Sequence, residues 1–129
     1  MYETFGAPYA RKVLESLQGV PRVYIAVGAG HLLDSIATLP IEMLSVDWRI
    51  SLTDARQVVG KKALQGNLDP AILLAPPDVL EREARKVLQD GLGGAHVFNL
   101  GHGMMKEASP DAVARLVDVV HAFDRTDHS

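Results

Sequence analysis

The sequence predicts an α/β fold of four strand-helix units, and three observations lead to it. Short apolar runs rich in β-branched residues recur at Val20 to Val27, Met43 to Val46, Ala63 to Gln65 and His96 to Leu100. Segments with apolar residues at helical spacing separate these runs. The runs do not alternate apolar with polar residues, which suits parallel strands covered on both faces, and strands joined through helices cannot be hairpins.

Each helix carries its own signal. Ser109 is placed to cap a helix that opens on Pro110 and presents Val113, Leu116, Val117, Val120 and Phe123 along one side. A second helix begins near Pro77, carries Leu80, Ala84, Val87 and Leu88 on its apolar face and stops at Gly91. Leu52, Ala55, Val58 and Val59 mark a third, closed by Gly60, and Leu32, Leu33 and Ile36 mark a shorter one. Another helix precedes the first strand. Such a series fits either an open doubly wound sheet or part of a (β/α)8 barrel, whose full form needs ~250 residues. Four units are half of that barrel.

The composition narrows the functional classes. With 129 residues, 47% of them hydrophobic and 22% charged, the chain can bury one core of ordinary size. A formal net charge of -3 offers no electrostatic footprint for nucleic acid or an anionic membrane. Absence of cysteine excludes disulfides, thiolate nucleophiles and cysteine-based metal sites. No apolar stretch approaches the ~20 residues of a membrane span, and the start lacks the pattern of a secretory signal, so a cytoplasmic protein is expected.

Ligands of parallel α/β folds meet the C-terminal ends of the strands, which directs attention to four loops. Gly28-Ala29-Gly30-His31, followed by Asp47 about 20 residues on, suggests a dinucleotide-binding turn, but Leu33 occupies the place that needs a small residue. In Asp47-Trp48-Arg49, Arg49 could pair with a substrate carboxylate or simply lie on the surface, and Trp48 reads as packing at the rim before stacking on a ligand. In Gly66-Asn67-Leu68-Asp69-Pro70, Asp69 reads as an N-cap and Asn67 as a loop brace or a ligand contact. His102, between Gly101 and Gly103, is the candidate for proton transfer, with glycines that can take positive φ and leave the imidazole approachable. His31, His96, His121 and His128 read as incidental.

Taken together, Val46-Asp47-Trp48-Arg49, Leu64-Gln65-Gly66-Asn67-Leu68-Asp69-Pro70 and Phe98-Asn99-Leu100-Gly101-His102-Gly103 resemble the C-terminal part of the uroporphyrinogen decarboxylase family. The similarity runs from about Phe5 to the helix ending near Phe123, so residues 1–123 form the half-barrel and 124–129 a short polar tail. The resemblance implies a lyase of porphyrin and haem biosynthesis that removes the acetate carboxylates of uroporphyrinogen to give coproporphyrinogen, with no cofactor and no metal. It implies His102 as the active-site histidine, while Arg49 and Asn67 remain candidate substrate contacts from their strand-end positions. The family's central aspartate, its carboxylate-binding arginines and its active-site tyrosine and serine belong to the preceding half. A homodimer, or pairing with a complementary N-terminal half-barrel, is therefore expected. Two other readings remain: a related barrel methyltransferase, whose zinc site would need thiolate ligands absent here, and a non-catalytic or nucleotide-binding half-barrel.

Overall fold

A computed structural model of the chain describes residues 1–124, so of the expected polar tail all but Asp124 lies outside the described residues. Two N-terminal helices, α1 (Tyr2–Phe5) and α2 (Ala7–Ser16), lead into strand β1 (Val23–Ile25). Then follow α3 (Leu33–Ala37), β2 (Met43–Ser45), α4 (Leu52–Val59), β3 (Ala63–Gln65), α5 (Pro77–Asp90), β4 (His96–Val97) and α6 (Pro110–His121). The strands form one parallel sheet in the order β1-β2-β3-β4. Sequential order distinguishes a barrel segment from a doubly wound sheet, in which the order reverses at a switch point. Successive helices also pack side by side, α3 on α4, α4 on α5 and α5 on α6, as they do around a barrel.

The caps expected at Ser109, Asp69 and Gly60 form, and Ser51 adds another. Ser51 and Ser109 accept hydrogen bonds from the backbone N–H groups of Asp54 and Ala112, at the starts of α4 and α6. Asp69 caps a 3-10 turn over Pro70–Leu74 by accepting from the Ala71 N–H. Gly60 closes α4 at φ 66°, a left-handed geometry that favours glycine. The short helix signalled by Leu32, Leu33 and Ile36 divides into a 3-10 turn at Gly30–Leu32 and α3.

Three expectations need correction. The first and last strands are shorter than their apolar runs, because Pro21 offers no ladder N–H and Gly28 turns away at φ 69°, while beyond Val97 only an isolated bridge from Leu68 to Leu100 continues the pairing. The sheet is covered on one face rather than both. Tyr24, Leu44 and Leu64 stand in register and face the helices, whereas Val23, Ile25 and Val97 on the other face are about half exposed. Finally, Val58 and Val117 are exposed rather than on their helices' buried sides, and Phe123 lies beyond the end of α6.

The core sits between sheet and helices in two clusters. One gathers Leu14, Leu33, Ile36, Leu39, Leu44, Val46, Leu52, Ala55 and Leu64 under the first strands. The other joins Leu68 and Leu73 to Leu80 and Ala84 of α5 and Leu116 and Val119 of α6. At ~25 cal/mol per Å² of apolar area, this burial supplies the main drive for folding and fixes the helical layer, leaving the strand ends to carry polar groups.

Candidate functional site

Polar residues with buried side chains concentrate where β2 and β3 end. Ser45, Asp47 and Asn67 are the buried polar side chains among the described residues. Asp47 is 5% exposed and ties adjacent loops together. Its Oδ2 accepts from the Gly28 N–H at 2.9 Å and from Nη1 of Arg49 at 2.5 Å, and its Oδ1 accepts from the Arg49 N–H at 2.9 Å. Asn67 reaches back from the end of β3, donating through Nδ2 to the carbonyls of Asp47 at 3.0 Å and Ile50 at 2.5 Å. Those bonds give Asn67 a bracing role between the two loops.

The next loop closes on this one by close backbone approach. A Cβ on Gly66, whose φ is 130°, would stand 2.7 Å from the Val46 carbonyl oxygen. A Cβ on Gly101 would stand 2.4 Å from the Trp48 backbone nitrogen and 2.8 Å from its Cβ. Gly101 also donates its N–H to the Leu68 carbonyl at 2.7 Å. The expectation that the glycines around His102 take positive φ is thus corrected: neither does, and nothing lies within 4 Å of a Cβ placed on Gly103. Gly101 is small so that the histidine loop can lie against Trp48.

A row of side chains results. The Arg49 guanidinium carbon lies 3.9 Å from the centroid of the Trp48 ring, and the His102 imidazole meets the indole edge to face at 5.8 Å and 90°. The Arg49 side chain is 55% exposed, which leaves N–H groups of its fork free to meet an anion, and His102 is exposed. Arg49 over indole is a cation–π arrangement, so Trp48, read as rim packing, in fact sits between a cation and an imidazole.

Sequence reasoning missed two residues here. Asp47 entered as part of a possible dinucleotide-binding pattern, but its carboxylate is consumed by Gly28 and Arg49, and the loop after β1 leads into a 3-10 turn rather than a phosphate-binding helix. His96, read as incidental, bonds through Nε2 to the Gly66 carbonyl at 2.6 Å, and its ring occupies the space that a Cβ on Gly91 would need. No local signal marks that contact, which joins residues 30 apart in sequence. His31 is exposed, His121 lines a cleft at the β4 edge and His128 lies outside the described residues.

Electrostatic shifts lie away from these loops. Glu42 is held at about 2 by its hydrogen bonds to Arg22, and Tyr2 is pushed up to about 12, first by burial and then by its hydrogen bond with Tyr24. Among the described residues no three His, Asp or Glu side chains gather as a metal site, and no helix is long and apolar enough to cross a membrane.

Four parallel strand-helix units in sequential order define half of a β/α barrel, with a polar row at its strand ends as the candidate site. The uroporphyrinogen decarboxylase family profile matches residues 1–123. This chain belongs to that family. It is 42% identical over 127 residues to the uroporphyrinogen decarboxylase of Geotalea uraniireducens, covering 96% of this chain and 38% of that protein. It is 41% identical over 130 residues to the enzyme of the same name from Corynebacterium diphtheriae, covering 95% of this chain and 38% of the relative. The chain therefore spans little more than a third of these relatives, and it matches their C-terminal part. A solved methyltransferase from Methanosarcina mazei superposes with a TM-score of 0.80 over 98% of this chain and 36% of its own, at 24% sequence identity, a likeness of fold.

Proposed function

We propose that this chain supplies the C-terminal half of a uroporphyrinogen decarboxylase site in porphyrin biosynthesis. The observation that carries the reading is the row Arg49, Trp48 and His102 at the strand ends, which offers a cation, an aromatic face and an imidazole on one exposed rim. A substrate bearing several carboxylates on pyrrole rings matches all three.

In this reading the pyrrole, protonated on a ring carbon, receives the electron pair released when the bond from the acetate methylene to its carboxylate breaks. Carbon dioxide leaves, the exocyclic methylene takes a proton to become a methyl group, and the ring carbon gives up its added proton to restore the pyrrole. The protein's task is positioning, charge neutralisation and proton delivery. Arg49 pairs with a substrate carboxylate through its exposed N–H groups. His102 contacts a carboxylate or passes the proton, since an imidazole can gain and lose one near neutral pH. Asn67 braces the loop and offers its side-chain carbonyl to a pyrrole N–H.

The half-exposed apolar face carrying Val23, Ile25 and Val97, together with the free edges of β1 and β4, supports pairing with a complementary N-terminal half or a second copy. The site works in a barrel completed in that way, in the cytoplasm, without nucleic acid or membrane as partner. The test is decarboxylation of uroporphyrinogen by the 129-residue chain with and without the N-terminal half of a relative such as the Geotalea enzyme. Activity is expected only in the mixture, and His102→Asn should lower it. Full activity of the His102→Asn mixture would reduce His102 to a structural residue.

A further inference from the structure

We propose that Asp47 is a positioning residue for His102, acting through Arg49 and Trp48 without touching substrate. The inference deepens the reading above and rests on it for the importance of His102, but its geometry stands separately.

Asp47 is a buried carboxylate with both oxygens committed. It takes the Gly28 N–H from one neighbouring loop and both the N–H and the guanidinium of Arg49 from its own. Its backbone carbonyl takes the Asn67 amide from the loop on the other side. Asp47 thus stands at the junction of three strand-end loops, and its carboxylate fixes Arg49 at two points. A guanidinium held there lies 3.9 Å over the Trp48 ring and fills one face of the indole. The same indole meets the His102 imidazole edge to face, which the close passage of Gly101 over the Trp48 backbone allows.

His102 itself has little else to orient it. The residue is exposed, and among the described residues its ring contact is Trp48 and it has no hydrogen-bond partner. An imidazole that must meet a reacting group within ~0.5 Å needs its side-chain rotamer set by neighbours. Here the orienting wall is the indole, the indole is held by Arg49, and Arg49 is held by Asp47. A charged hydrogen bond to a buried carboxylate is the strongest fixed point in that series.

The test reads geometry by NMR on the 129-residue chain at a pH above the histidine range, where the imidazoles are neutral. The ring protons of His102, assigned by their loss in His102→Asn, should be displaced by the Trp48 ring current, and Trp48→Leu should move them. Asp47→Asn keeps the volume but removes the charge that holds Arg49, and it should move the same signals at least halfway to their Trp48→Leu positions. Far-UV circular dichroism should stay unchanged. If Asp47→Asn unfolds the chain, Arg49→Met breaks the same bond from an exposed position and should give the same shift. Wild-type positions in a folded Asp47→Asn, or in the Arg49→Met variant when the first is unfolded, overturn the proposal. So does a Trp48→Leu variant that leaves His102 unmoved. Loss of the expected decarboxylation in the reconstituted enzyme with these shifts intact would overturn the functional reading instead.

Discussion

Replacing Gly101 by alanine is the sharpest perturbation this site offers. The added Cβ would stand 2.4 Å from the Trp48 backbone nitrogen, 2.8 Å from its Cβ and 2.9 Å from its Cα, where ordinary contact begins at 3.4 Å. The loops must therefore separate by about 1 Å, and the atoms in the way are largely backbone, which cannot turn aside as a flexible side chain could. The Gly101 N–H bond to the Leu68 carbonyl opposes that movement. Overpacking of this kind costs about 1–3 kcal/mol, which lowers Tm on the order of 5–10 °C for a domain of this size. A 1 Å displacement of a catalytic group can cost about 100-fold in turnover, so the reconstituted enzyme should lose far more activity than stability. Gly103→Ala is the control, since nothing lies within 4 Å of its Cβ and its φ is not in the left-handed region. It should be neutral or stabilising by about 0.5 kcal/mol through the unfolded chain. Thermal unfolding, followed by the emission of Trp48, the single tryptophan, measures both variants. If Gly101→Ala melts with the wild type and leaves that emission unchanged, the close approach does not constrain the site.

Other substitutions address the supporting structure. Asn67→Ala leaves the carbonyls of Asp47 and Ile50 without their shared donor in a buried place and should destabilise by about 2 kcal/mol in urea unfolding. Ser109→Ala removes the cap of α6 and should cost about 1 kcal/mol by the same assay. Because hydrogen bonding to Arg22 depresses Glu42 to about 2, the pair contributes stability above the ordinary carboxylate range, and that contribution is lost as pH falls from about 4.5 through 2. Glu42→Gln should flatten this part of the stability-pH curve. Burial and the bond to Tyr24 raise Tyr2 to about 12, so its contribution is present below pH 10 and is lost as pH rises through 12. Ultraviolet titration should show one late phenol, absent in Tyr2→Phe.

The fold was legible where local chemistry decides it. The serine cap at 109, the aspartate before Pro70 and the glycine after Val59 each satisfy or release backbone groups within a few residues, so sequence spacing carries the information. Three strand-end motifs in order carried the family. What those motifs did for one another was not legible. His102 looked functional because glycines flank it, yet the reason for Gly101 is a tryptophan 53 residues earlier. Asn67 presented two roles, and two backbone carbonyls on a neighbouring loop show how its amide is spent. His96 looked incidental until the Gly66 carbonyl stood beside it.

The sequence by itself determined the α/β class, the positions of the helices and strand-end loops, and the family, because periodicity, capping and motif order are properties of neighbouring residues. Only the tertiary structure decided that β1 to β4 lie in sequential order with helices on one face, leaving the other face open. It alone placed Asp47 at the junction of three loops and set Arg49, Trp48 and His102 in a row. Those relations depend on parallel pairing between strands about twenty to thirty residues apart, and the shared register brings their ends to one rim.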